Sequence, residues 1–121
     1  MTRPTHTMAG PLLCFGLETE VRRLRAEPEA TQGSRNAITL VKDGPLRVVL
    51  VLLKAGAAFD DAAGPGPATV QVLSGRVRFE GREGQGTIGA GAIVAIESGV
   101  PHVVTAEEES VVLVTIVDVR P

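Results

Sequence analysis

One segment limits the possible folds more than any other: "LRVVLVLLKAG", from Leu46 to Gly56. It is apolar on both alternating faces, which suits a strand covered on both sides. It is also one of a series. "NAITLVKD" precedes it across the Gly44-Pro45 turn, and "ATVQVLSG" follows a second turn at Gly64 to Pro67. "RVRFEG" alternates, with Val77 and Phe79 on one face and Arg76, Arg78 and Glu80 on the other. After the turn "REGQG", "TIGAGAIVAIESG" carries two short strands around Gly89 and Gly91. "HVVTAEEE" and "SVVLVTIVDV" end the series, with Glu107 to Glu109 as an exposed acidic turn. About seven to nine short, evenly spaced strands predict an all-β sandwich or barrel.

Composition agrees. Hydrophobic residues make up 44% of the 121, enough for a real core, but aromatics only 2%, so Val, Leu, Ile and Ala must build it. The size suits one small domain, with residues 1–35 as a tail and helix and 36–121 as the barrel. Met1 to Pro11, with His6, reads as a loose tail. In "FGLETEVRRLRAEPEA", Leu17, Val21 and Leu24 share one helical face, while Glu18, Glu20, Arg22, Arg23 and Arg25 fall largely on the other. This predicts one amphipathic helix ended by Pro28, packed on the sheet or on a partner subunit. The arginines are expected to pair with Glu18 and Glu20.

Several function classes are disfavoured. A formal charge of −2 leaves no positive surplus for phosphates, and the absence of Trp and Tyr removes stacking platforms, so no nucleic-acid partner is expected. No apolar run approaches the roughly 20 residues that span a bilayer, so no membrane partner is expected. Cys14 is the single cysteine and reads as a small packing residue. Leu13 before it does not suit a lipoprotein cleavage site. A cytoplasmic location is the default expectation.

The glycine spacing between Gly56 and Ala106 resembles the two motifs of the cupin superfamily. The first, G-x5-H-x-H-x3-E-x6-G, fits with Gly56 and Gly75 as its end glycines. The second, G-x5-P-x-G-x2-H-x3-N, fits with Gly91, Gly99 and His102, but Glu97 stands at the proline position and Ala106 at the asparagine. The resemblance implies a small, single-domain, RmlC-like conserved barrel: a double-stranded β-helix, or jelly roll, with one short N-terminal α-helix. It also implies three histidines and a glutamate around a metal ion. Here those positions are Ala62, Gly64, Ala68 and His102, and only His102 carries a donor. A transition metal wants about three or four such donors.

No cofactor is therefore expected. The favoured reading is a metal-free barrel that binds or senses a small molecule, leaning away from an enzyme. Ala62, Gly64 and Ala68 would leave room inside, Val70, Val72, Phe79 and Val104 would line the cavity, and His102 would be its polar anchor. Taken by itself, His102 reads first as a leftover histidine bonded to a carbonyl or water, since no partner acid, base or nucleophile stands out beside it. A second reading is a metal-dependent dioxygenase or isomerase with a rearranged site built on Asp60 and His102; Asp60 and Asp61 also suit a solvated loop tip. Glu97 fits a turn at the barrel mouth. A third reading is a non-catalytic structural or dimerisation domain. The two-faced strand and the helix both need covering, so a homodimer is expected.

Overall fold

The computed structural model describes residues 12–27, 33–59, 66–82 and 84–119. One helix, α1 (Leu17–Ala26), precedes nine strands among the described residues: β1 (Arg35–Asp43), β2 (Leu46–Leu53), β3 (Ala58–Phe59), β4 (Ala68–Ser74), β5 (Arg76–Gly81), β6 (Gly84–Gly89), β7 (Ile93–Ile96), β8 (His102–Ala106) and β9 (Ser110–Val117). They form two antiparallel sheets, a five-stranded one in the order β1-β2-β9-β4-β7 and a four-stranded one in the order β3-β8-β5-β6. Strand β6 starts at Gly84, inside the stretch expected to be a turn, because its ladder with β5 runs out to the pair Gly81 and Gly84.

Alternation along the strands divides the core in two. Val49, Val51 and Leu53 of β2, with Val112, Val114 and Ile116 of β9, face inward onto Val77 and Val104 of the other sheet. Leu50 and Leu52 of β2 and Val111 of β9 face outward, where they join Leu24 with Leu17 and Val21 of the helix. The two-faced apolarity of β2 thus has a simple cause: one face fills the barrel, and the other lies under α1. Of the helical stripe, Leu24 is buried against this face and Leu17 and Val21 are half-buried on it.

The helix ends are held by specific contacts. Glu18 and Glu20 occupy the first turn, and Arg23 and Arg25 the last, which complements the helix dipole. Glu27, the residue before Pro28, is extended, as steric exclusion before proline demands. The buried Asn36 of β1 donates through Nδ2 to the Leu24 carbonyl at 3.2 Å, satisfying a helix-end acceptor. The expected arginine pairing holds only in part: Arg23 lies 3.7 Å from Glu20, but Arg25 pairs with Glu109 in the β8–β9 turn.

The four glycines of the motif frame, Gly56, Gly75, Gly91 and Gly99, all have positive φ, between 74° and 89°. At Gly75 a side chain is excluded twice over, since a Cβ would also collide with Ser110 Oγ and the Glu109 carbonyl. The two motifs meet in the backbone. Gly56 N–H donates to the Ala106 carbonyl, and Ala106 N–H donates to the Ala57 carbonyl, each at 2.8 Å.

Candidate functional site

The two sheets do not close along their whole length. Strand β6 is one edge of the four-stranded sheet and β7 one edge of the five-stranded sheet, and neither pairs with the other. Toward the β5–β6 hairpin they leave a cavity of about 550 Å3. Phe79 and Gly81 of β5, Gly84 and Gln85 of β6, and Val94 and Ile96 of β7 form its walls. Glu80, Ala95, Glu97, Val100 and His102 complete the lining.

His102 opens β8 and shares the inward parity of Val104 and Ala106. Its partner across the ladder is Gly81, which has no side chain to crowd the imidazole. The residue is 9% exposed. Its Nδ1 lies 3.1 Å from the Val100 carbonyl oxygen. A carbonyl can only accept, so Nδ1 carries the proton, and in the neutral ring Nε2 carries the lone pair. That Nε2 is buried and has no hydrogen-bond partner. A buried acceptor left unsatisfied costs about 1–3 kcal/mol unless something fills it.

The cavity wall is mostly apolar and its rim acidic. Glu97 is exposed at the mouth, in the position its turn context suggested. Glu80 is held by Arg78, whose Nε is 3.1 Å from Glu80 Oε1. Among the described residues no lysine or arginine lines the cavity. Phe79 keeps its place on the wall because Gly86 faces it across the β5–β6 ladder.

The candidate residues of the sequence divide into three groups. His102 and Phe79 both border the cavity. Val70, Val72 and Val104 were expected to line it but do not: each is 0% exposed, interdigitated with Val77, Val112 and Val114 where the sheets close tightly. Ala68 is likewise buried in that cluster, its methyl group on the inner face of β4. Asp60, Asp61, Ala62 and Gly64 lie outside the described residues. Sequence reasoning missed Gly81, Gln85, Val94 and Ile96 as wall residues, and no local signal marks them. Cys14 is exposed, not packed as expected.

No protein-family model matches the chain, and no curated protein matches it either. Solved structures do. A cupin superfamily protein from Desulfitobacterium hafniense superposes with a TM-score of 0.67 at 9% identity, over 71% of this chain and 79% of that one. An RmlC-like cupin from Shewanella frigidimarina gives 0.65 at 17%, over 73% and 79%. The chain has the cupin fold. A salicylate 1,2-dioxygenase from Pseudaminobacter salicylatoxidans reaches 0.73 at 19% identity, over 84% of this chain but 34% of that one. At such identities the likeness carries the fold of a cupin and no activity.

The donor set of a cupin metal centre does not fit this barrel. Of the four positions, 62, 64 and 68 hold Ala, Gly and Ala, which offer no donor, and Ala68 puts a methyl group inside. Among the described residues no group of three His, Cys, Asp or Glu side chains is placed to hold an ion. Nor is any helix among them long and apolar enough to cross a membrane.

Proposed function

We propose that this cupin barrel binds a small molecule directly, without a metal ion, in the cavity around His102. The observation that carries the reading is the unpartnered Nε2 of a nearly buried histidine bordering a cavity of about 550 Å3. That volume suits a small organic molecule, and a mainly apolar wall with few polar groups is the usual make-up of such sites. A histidine retained only for packing would have both nitrogens satisfied or be replaced by an apolar residue.

The test pairs two measurements on native protein: metal content by mass spectrometry, and a thermal-shift screen of small metabolites. Negligible metal after exposure to Fe(II), Mn(II), Ni(II) and Zn(II), with at least one compound raising the midpoint, supports the reading. One tightly held ion per chain, lost in His102→Ala, would establish the rearranged metal-dependent enzyme in its place.

A homodimer is part of the proposal. One motive for it is weakened, since α1 packs on β1 and β2 and buries part of the outer face of the larger sheet. Ile93, 58% exposed on the edge strand β7, supplies another. Sedimentation velocity showing only monomer at tens of micromolar would remove it.

A further inference from the structure

We propose that the cavity selects ligands that present a neutral hydroxyl or a protonated amine to His102 Nε2, and that it rejects carboxylates and phosphates. This rests on the cavity being a binding site.

Two independent observations point the same way. The first is the hydrogen-bond inventory. With Nδ1 committed to the Val100 carbonyl, the one unsatisfied nitrogen of His102 is an acceptor, so its partner must donate. A carboxylate, or a fully ionised phosphate, offers only acceptors to the neutral ring and would set lone pair against lone pair. The second is charge. Glu97 stands exposed at the mouth, and among the described residues no lysine or arginine lines the cavity to offset it. Glu80, which also borders the cavity, is paired with Arg78. An anion would therefore leave water for an apolar cavity with an acidic rim and no counter-charge, which is strongly unfavourable. A hydroxyl would supply the missing donor at no charge penalty. An amine would supply it and also gain from the carboxylates at the mouth. The remaining wall, Phe79, Val94, Ile96 and Val100, fits an apolar body behind that head group.

The experiment titrates four compounds that share one ring: toluene, benzyl alcohol, benzylamine and benzoate. Binding is followed by the amide NMR shifts of Phe79, Val94 and Ile96, with the ring 15N shifts of His102 read in parallel. Benzyl alcohol and benzylamine should each bind about tenfold or more tightly than toluene and benzoate, the scale of one hydrogen bond to a buried group. The Nε2 resonance should move with the two donors and stay still with toluene. In His102→Leu the four affinities should converge, while toluene still binds. Benzoate binding as tightly as benzyl alcohol, or an alcohol advantage that survives in His102→Leu, overturns the selectivity while leaving the cavity a binding site. An unmoved Nε2 resonance on benzyl alcohol binding overturns it as well, even if the variant does not fold. Binding by none of the four removes the binding site itself and the selectivity with it.

Discussion

Gly86 faces Phe79 across the β5–β6 ladder, and a Cβ on Gly86 would lie 2.7 Å from the tip of the Phe79 ring. The absent side chain of one residue is what seats the ring of the other on the cavity wall. Gly86→Ala should push the ring out of place, lowering stability by about 1–3 kcal/mol, as overpacking does. Phe79→Leu should relieve the clash. A double-mutant cycle read by urea unfolding should then show a coupling of about 1 kcal/mol or more between the two. Additive effects would mean the ring does not rest on Gly86.

The buried Nε2 of His102 has an opposite effect on stability from that of most core groups. Replacing His102 by Leu discards an unsatisfied acceptor but also takes the donor from the Val100 carbonyl, so the two effects should nearly cancel and stability should change by less than about 1 kcal/mol. A structural histidine would instead lose about 1–3 kcal/mol on the same change. Thermal and denaturant unfolding of the ligand-free protein distinguish the two.

Ser110 is fully buried at the start of β9 and ties the β5 start to the β8–β9 turn. Its Oγ accepts from Arg76 N–H at 3.0 Å and lies 2.8 Å from the Glu108 carbonyl, to which it can donate. Ser110→Ala should cost about 1–3 kcal/mol. Gly75→Ala should cost more, because it adds positive-φ strain at 86° to a collision with that same hydroxyl. Matching losses in chemical denaturation would contradict this ordering.

The helix is held by unequal bonds. The pair between Arg25 and Glu109 is about half exposed on both sides, so Arg25→Ala should cost at most about 1 kcal/mol and should matter less as salt rises. Leu24 is 1% exposed in the outer cluster, and Leu24→Ala should cost about 2–5 kcal/mol at any salt. Circular dichroism at 222 nm with urea, at low and high salt, checks both.

Much of this was readable from periodicity. The two faces of β2 and the stripe Leu17, Val21 and Leu24 follow from spacing alone, because burial imposes those periods. His102 was legible through the glycine frame, since positive φ leaves little choice of residue. The cavity wall was not. Parity correctly puts Val70, Val72 and Val104 on the inner face, but it says nothing of where along that face the sheets close. That depends on the course of β6 and β7, a long-range property. Gly81 and Gly86 matter only through the strands opposite them, so no local pattern sets them apart from ordinary turn glycines.

Strands β6 and β7 border the cavity from different sheets, joined through the turn at Gly91 with no ladder between them. The gap is therefore a seam and not a wall. Away from the turn, which Val72 holds through backbone bonds to Gly91 and Ala92, no ladder at fixed spacing spans it, and packing between side chains yields by fractions of an ångström. A molecule somewhat too broad can part the seam with every backbone bond intact, whereas a molecule with the wrong head group still meets His102. On the proposed reading, such a barrel would be lenient about girth and strict about polarity.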